Sequence, residues 1–521
     1  MASPANPIRS TTLTASELKL SSLQSSQDGD FRSLAAQWDA LVENEGGGSW
    51  PPQPARPQAS SSSSLTSSYS SGPTCAAIDS AESPTSSCSW WQAYHDLALS
   101  LAASGRFVDS RDGLHPTRAE SELRIRIDLN RQWLAEELER VVILDTIMQR
   151  LKESLAPEDN SVSSSSCLGF LACLAYLAHL YRWGTIPVVS LAQDERMLEM
   201  PEAINRPLEV LRERYGLKTS GGCLWSMTLL NVDANSQDGI VYSNMRHIRE
   251  DYPDAWDAER LNASIFYDME RLAVPFYRAI AELETESLTA EEITTTLRTA
   301  NVSLKAAFKI FFDTVREGRI KKDVWMSHAQ GFHGWGIDDF DGVSGDHSLL
   351  IRTLDAFLAI PKHTVAEVPT ATRTGMEVDG RTTSWSSWLA SWILPWRRDT
   401  SQSPESTSST APAFTGVPYS DDYLPTHQVA WIAAVRAANL RPRLAREAPE
   451  ELAETVRLLR LWRAAHTRKA VYYENLHLPE RRPMTASGGV GGGVADGKTE
   501  DVGEMIRKLE ARLKARIEAT Q

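Results

Sequence analysis

The sequence predicts an all-α protein. Apolar residues recur at helical spacing in one segment after another, alternating strand patterns are nearly absent, and helix-breaking residues are gathered into a few long tracts. No internal repeat is visible.

Residues 1–87 are dominated by Ser, Thr, Pro and Gly, and the serine run at 60–64 buries too little apolar surface to fold, so this arm is expected to be disordered. One short amphipathic piece interrupts it, with Phe31, Leu34, Trp38 and Leu41 at helical spacing. Ordered structure is expected from about Trp90. Leu134, Leu138, Val141 and Ile147 mark one face of a helix over about 127–153, and 167–183 is apolar nearly all round, as a fully buried helix is. Helical periodicity continues over 201–216, 259–283, 289–317, 346–359, 426–439 and 449–475.

Two insertions break the run. Residues 364–422 are rich in Thr, Ser and Pro, and inside them Trp385, Trp388, Trp392 and Trp396 share one helical face, followed by Arg397 and Arg398. Such a face serves as a lid, a partner-binding helix or a membrane-surface helix, or it packs on its own domain. Residues 485–501 are Gly-rich and lead into a last helix over 502–519 with alternating charges. The expected organisation is an arm at 1–87, a small helical domain at 88–217, a large helical domain built from 218–363 and 423–480, the insertion, and a terminal loop and helix at 481–521.

Composition narrows the function. Across 521 residues, Lys and Arg number 54 against 68 Asp and Glu, a net charge of −14, which argues against binding nucleic-acid phosphates as the main task. The five cysteines, Cys75, Cys88, Cys167, Cys173 and Cys223, are odd in number and form no CxxC pair, so neither a disulfide framework nor a zinc site is expected. Residues 1–20 lack the apolar run of a secretory signal, and the longest apolar stretch, 167–181, is shorter than the ~20 residues a membrane span needs. These features predict a soluble, cytoplasmic protein, and it is expected to act as a monomer.

Three clusters carry candidate chemistry. His466 falls on the inward stripe of its helix with Leu452, Val456, Leu459, Trp462, Ala470 and Tyr473, and Arg463 lies one turn earlier. A buried imidazole needs a partner, which a carbonyl, a carboxylate or an iron can supply. Phe311 and Phe312 offer an indole-sized apolar surface, and Arg316, one turn on, can grip a carboxylate; the plain alternative is a helix end with its Arg in solvent. Gly342, Val343, Ser344 and Gly345 let a backbone approach a flat ligand closely, or form a turn and cap ahead of the helix carrying Asp355. Gly492, Gly497, Lys498 and Thr499 formally fit a phosphate loop, but no apolar strand precedes them. His328, His333 and His347 are close in sequence at a spacing that matches no helical metal motif.

The order of these motifs resembles the indoleamine 2,3-dioxygenase family over about 165–480. The resemblance runs through Leu180, Tyr181, Arg182 and Trp183; Pro207 to Val210; Tyr215, Gly216 and Leu217; Thr228 to Asn231; Phe311, Phe312 and Arg316; Ser344 and Gly345; Asp355; Tyr423, Leu424 and Pro425 before His427; and Arg463 with His466. It implies a small helical domain over a large haem-binding one. It makes His466 the ligand of a haem b iron, places Arg463, Asp355 and Ser344 around the cofactor, and makes Phe311, Phe312, Arg316, Ser344 and Gly345 the tryptophan pocket. Leu224, Met227, Asn262 and Phe266 fall at distal-pocket positions. The implied activity is oxidative opening of the indole C2–C3 bond of L-tryptophan by O2, giving N-formylkynurenine, with no acid–base side chain required. A haem enzyme acting on a modified tryptophan, and a non-catalytic helical interaction protein, are the alternatives.

Overall fold

The computed structural model describes residues 90–104, 120–155, 162–184, 198–233, 240–248, 251–285, 287–316, 318–321, 324, 331–334, 343, 345–361, 423–474 and 514–520. All of them belong to one compact unit. The arm at 1–87, the tryptophan-bearing insertion, the glycine-rich loop, Ser344 and the first part of the last helix lie outside the described residues.

The all-α class holds. In chain order come α1 (Gln92–Ser104), α2 (Glu120–Val141), α3 (Leu144–Ser154), α4 (Val162–Trp183), α5 (Glu202–Tyr215), a π-helical turn (Leu224–Leu229), the two-residue strands β1 (Val232–Asp233) and β2 (Val241–Tyr242), α6 (Pro253–Leu283), α7 (Ala290–Thr314), the short α8 (Gly331–Gly334), a 3-10 turn (Gly345–His347), α9 (Leu349–Phe357), α10 (Thr426–Ala438), α11 (Arg441–Glu447) and α12 (Pro449–Glu474). The strands pair antiparallel, Val232 opposite Tyr242.

Two hydrophobic clusters organise the unit. The first surrounds α4, which is buried on every side from Cys167 to Leu180, with α1, α2, α3 and α5 packed on it. Because α4 meets neighbours all round, it has no polar face, and its small residues Ala172, Ala175 and Ala178 let those neighbours come close. Cys167, Cys173 and Cys223 are buried here as free thiols. The second cluster is built on the hairpin of α6 and α7, with α9, α10 and α12 packed against it. Its start is well signalled. Thr289 accepts the Glu292 amide at 3.3 Å, while the Glu292 carboxylate takes the Thr289 amide at 2.8 Å, a reciprocal cap on α7.

One expectation needs correcting. The single helix over 127–153 is two helices, α2 and α3, separated at Val142 and Ile143. Ile143 is extended (φ −91°, ψ 91°) and 67 % exposed. Adjacent β-branched residues resist helical χ1 packing, and the break lets Leu138 and Ile147 both reach the core. Among the described residues no helix is long and apolar enough to cross a membrane.

Candidate functional site

α12 presents Leu452, Leu459 and Trp462 to the second cluster, and His466 follows Trp462 by one turn at the edge of that stripe, half-buried. Its imidazole stacks on Trp462 (centroids 5.0 Å apart, planes 13°), and Trp462 in turn stacks on Phe308 of α7 (5.5 Å, 27°). Phe311, a turn beyond Phe308, lies 5.3 Å from the imidazole and packs edge-on against Phe312 at 5.4 Å. The predicted ligand and the predicted aromatic pair, far apart in sequence, therefore meet in one aromatic layer. Within it the Trp462 indole Nε1 is buried with no hydrogen-bond acceptor among the described residues.

Arg463 lies one turn before His466 on α12. Its guanidinium turns inward, donating from Nη2 to Asp355 Oδ1 at 2.5 Å and from Nη1 to Thr520 Oγ1 and to the Arg516 carbonyl at 3.3 Å. The side chains of Arg463 and Asp355 are each 6 % exposed. The pair thus fixes the rotation of α12 against α9 and the last helix, and so the direction in which His466 points.

Arg316 lies just past the end of α7, exposed, its Nε donating to the Asp313 carbonyl at 2.7 Å. Lys469 of α12 crosses to the same corner and donates to the carbonyl of Val315. Burial, and the charges of Arg316 and Arg468, push the Lys469 ammonium below its usual pKa. Beside Phe311 and Phe312 the fold therefore gathers cations where an anionic group can be held. Lys469 was not legible as part of this corner, because only the crossing of α12 over α7 brings it there.

In the first cluster the π-helical turn buries Leu224 and Met227. The turn packs against α6 and the 3-10 turn. A Cβ on Gly345 would stand 3.2 Å from the Phe266 ring, so the backbone here lies close against that ring. Asn262, one turn before Phe266, keeps its buried Oδ1 without a partner among the described residues. π-turns recur at functional sites because they turn side chains out of helical register. His427 packs edge-on against Trp225 at 5.8 Å, and His347 is buried and stacks on Tyr423 at 4.1 Å.

Fold and site define an all-α protein with one half-buried helical imidazole in an aromatic layer, a buried Arg–Asp strut behind it and a cationic corner beside it. No family model matches the chain, and no curated protein matches it.

The residues fit a haem group in kind. A single imidazole from a helix, walled by aromatic rings, is a common haem ligand, and the orphaned Trp462 donor marks a place where a polar acceptor would be welcome.

Sequence reading missed a different cluster. His333 on α8 lies with His247 and Glu259, all buried, with one ligating atom from each within 4.8 Å of the others. These residues come from the loop after β2, from α6 and from α8, so no local spacing announces them.

Proposed function

We propose that this chain is a haem-dependent dioxygenase that opens the indole C2–C3 bond of L-tryptophan to give N-formylkynurenine, acting as a cytoplasmic monomer. The observation that supports the reading is a half-buried imidazole, His466, presented by α12 within an aromatic layer, with the buried Arg463–Asp355 pair one turn behind. Haem, when bound, supplies the iron that takes up and activates O2.

The chain's own residues do the rest. His466 holds the cofactor from α12, and the Arg463–Asp355–Thr520 strut keeps that helix from rotating. Phe311 and Phe312 exclude water and present a flat surface to the indole. Arg316, with Lys469 beside it, holds the substrate carboxylate. In this reading Gly345, whose backbone lies close against the Phe266 ring, lines the pocket edge together with Ser344, which lies outside the described residues.

The test is the absorption spectrum of the purified protein with and without tryptophan, followed by product mass. A haem band that shifts on adding tryptophan, and a product carrying both atoms of labelled O2, are expected. His466→Ala should lose the haem, and Arg316→Ala should keep it while KM rises by about tenfold or more, the cost of one charge-assisted contact. A colourless protein, or full haem content in His466→Ala, would overturn the reading.

A further inference from the structure

Away from the aromatic layer, a buried polar knot joins three parts of the chain. Glu259, on the second turn of α6, is 1 % exposed; His247 is 0 % and His333 8 %. The Glu259 Oε1 atom accepts from the Tyr176 hydroxyl at 2.5 Å and pairs with His247 Nδ1 at 2.9 Å. Tyr176 OH also lies 3.2 Å from that same Nδ1. The His247 ring is clamped flat against Phe332 (3.9 Å, 5°), and the His333 ring stands perpendicular to it at 5.6 Å.

The hydrogen bonds do not account for all of this knot. Glu259 Oε2 and His333 Nδ1, each able to act as a lone-pair donor to a cation, are both buried without a partner among the described residues. Buried polar atoms without a partner are uncommon in folded proteins, and each calls for an explanation. Two imidazoles and one carboxylate form a donor set used for zinc-class ions, and here one atom of each lies within 4.8 Å of the others. Around a tetrahedral ion, ligating atoms sit about 3.4 Å apart, which modest side-chain rotation reaches from the spacing seen.

We propose that His247, Glu259 and His333 bind a zinc-class divalent transition-metal ion. The ion takes up both orphaned atoms. Tyr176 stays as a donor to Glu259 Oε1, the kind of outer partner that orients a ligating carboxylate. It clips the loop after β2, α6 and α8 together. The clip has a further reach, since the His333 carbonyl accepts the Val343 amide at 2.6 Å, and Val343 leads to Gly345 beside Phe266.

The full-length protein, dialysed against zinc chloride and then against metal-free buffer, is analysed for zinc and iron separately. About one zinc per chain is expected, whatever the iron content. Glu259→Gln and His333→Ala should each weaken zinc binding at least tenfold, the floor set by outer-partner losses, while helical content stays that of the wild type. If a variant does not fold, wild-type protein titrated with Co2+ provides the reading: a visible absorption band typical of four-coordinate cobalt, saturating at one equivalent and displaced by zinc, is expected. Zinc well below one per chain in the wild type, equal retention by both folded variants, or no cobalt band overturns the proposal. Because zinc and iron are counted apart, this result stands or falls independently of the haem reading.

Discussion

His179 shows what burial does to one side chain. Its Nδ1 faces the Phe332 carbonyl at 3.2 Å and its Nε2 accepts the Gly222 amide at 3.2 Å, which fixes a neutral tautomer inside α4. Burial, with the charges of Arg182 and His247 against it and the Phe332 carbonyl partly offsetting, pushes its pKa from 6.5 down to about 4. Unfolded, the same ring takes a proton near 6.5. Between those values the unfolded chain binds more protons, so the contribution is complete above about pH 6.5 and is lost as pH falls toward 4. The full loss is on the order of 3 kcal/mol. His333, pushed down to about 3, adds to the same slope. Denaturant unfolding between pH 7 and pH 4, with a chelator present, should show stability falling with acid, and His179→Gln should flatten that fall without abolishing it. An unchanged slope in His179→Gln would show that the ring is not held neutral. The sequence placed His179 in a buried helix but gave no sign of these two backbone partners, which arrive from the Gly222 turn and from α8.

At the scale of elements, the helices were legible because their stripes are long and their caps are local. The boundaries of α5, α7, α10 and α12 fall within three residues of those expected. What periodicity could not show was the break between α2 and α3, the π-turn and α11, each of which is set by tertiary packing. The end of α5 illustrates a local signal with a long-range consequence. Gly216 caps α5 in the left-handed region (φ 69°), and a Cβ there would land on the Thr426 side chain at the start of α10. Gly216→Ala should therefore lose the left-handed preference, about 1 kcal/mol, and add a clash on top. Adding Thr426→Gly should recover the clash but not the backbone part. Thermal unfolding of the single and double variants measures both. A Gly216→Ala protein as stable as the wild type would mean that α5 and α10 do not meet as described.

At the scale of the whole molecule, the site residues were legible as motifs, but their assembly was not. Phe311, Arg463 and His466 stood out in sequence, whereas the anchoring of Arg463 by Thr520 depends on the last turn of the chain closing over α12. Arg463 and Asp355 form a buried ion pair, and the attraction of such a pair only roughly offsets the cost of taking both charges out of water. Removing one partner is different, because it leaves the other charge buried alone. Asp355→Ala should cost about 3–5 kcal/mol of stability, while Thr520→Val, which removes one of several acceptors, should cost about 1 kcal/mol. Replacing both charges together, Arg463→Met with Asp355→Leu, should recover most of the Asp355→Ala loss. Chemical denaturation of the three proteins decides the matter. If Asp355→Ala matches the wild type, the guanidinium has reached water by another route and the strut that aims His466 is not rigid. If the double variant folds well yet holds haem poorly, the strut's role is to set the direction of His466 rather than to stabilise the fold, and it joins α9, α12 and the last helix into one support for the aromatic layer.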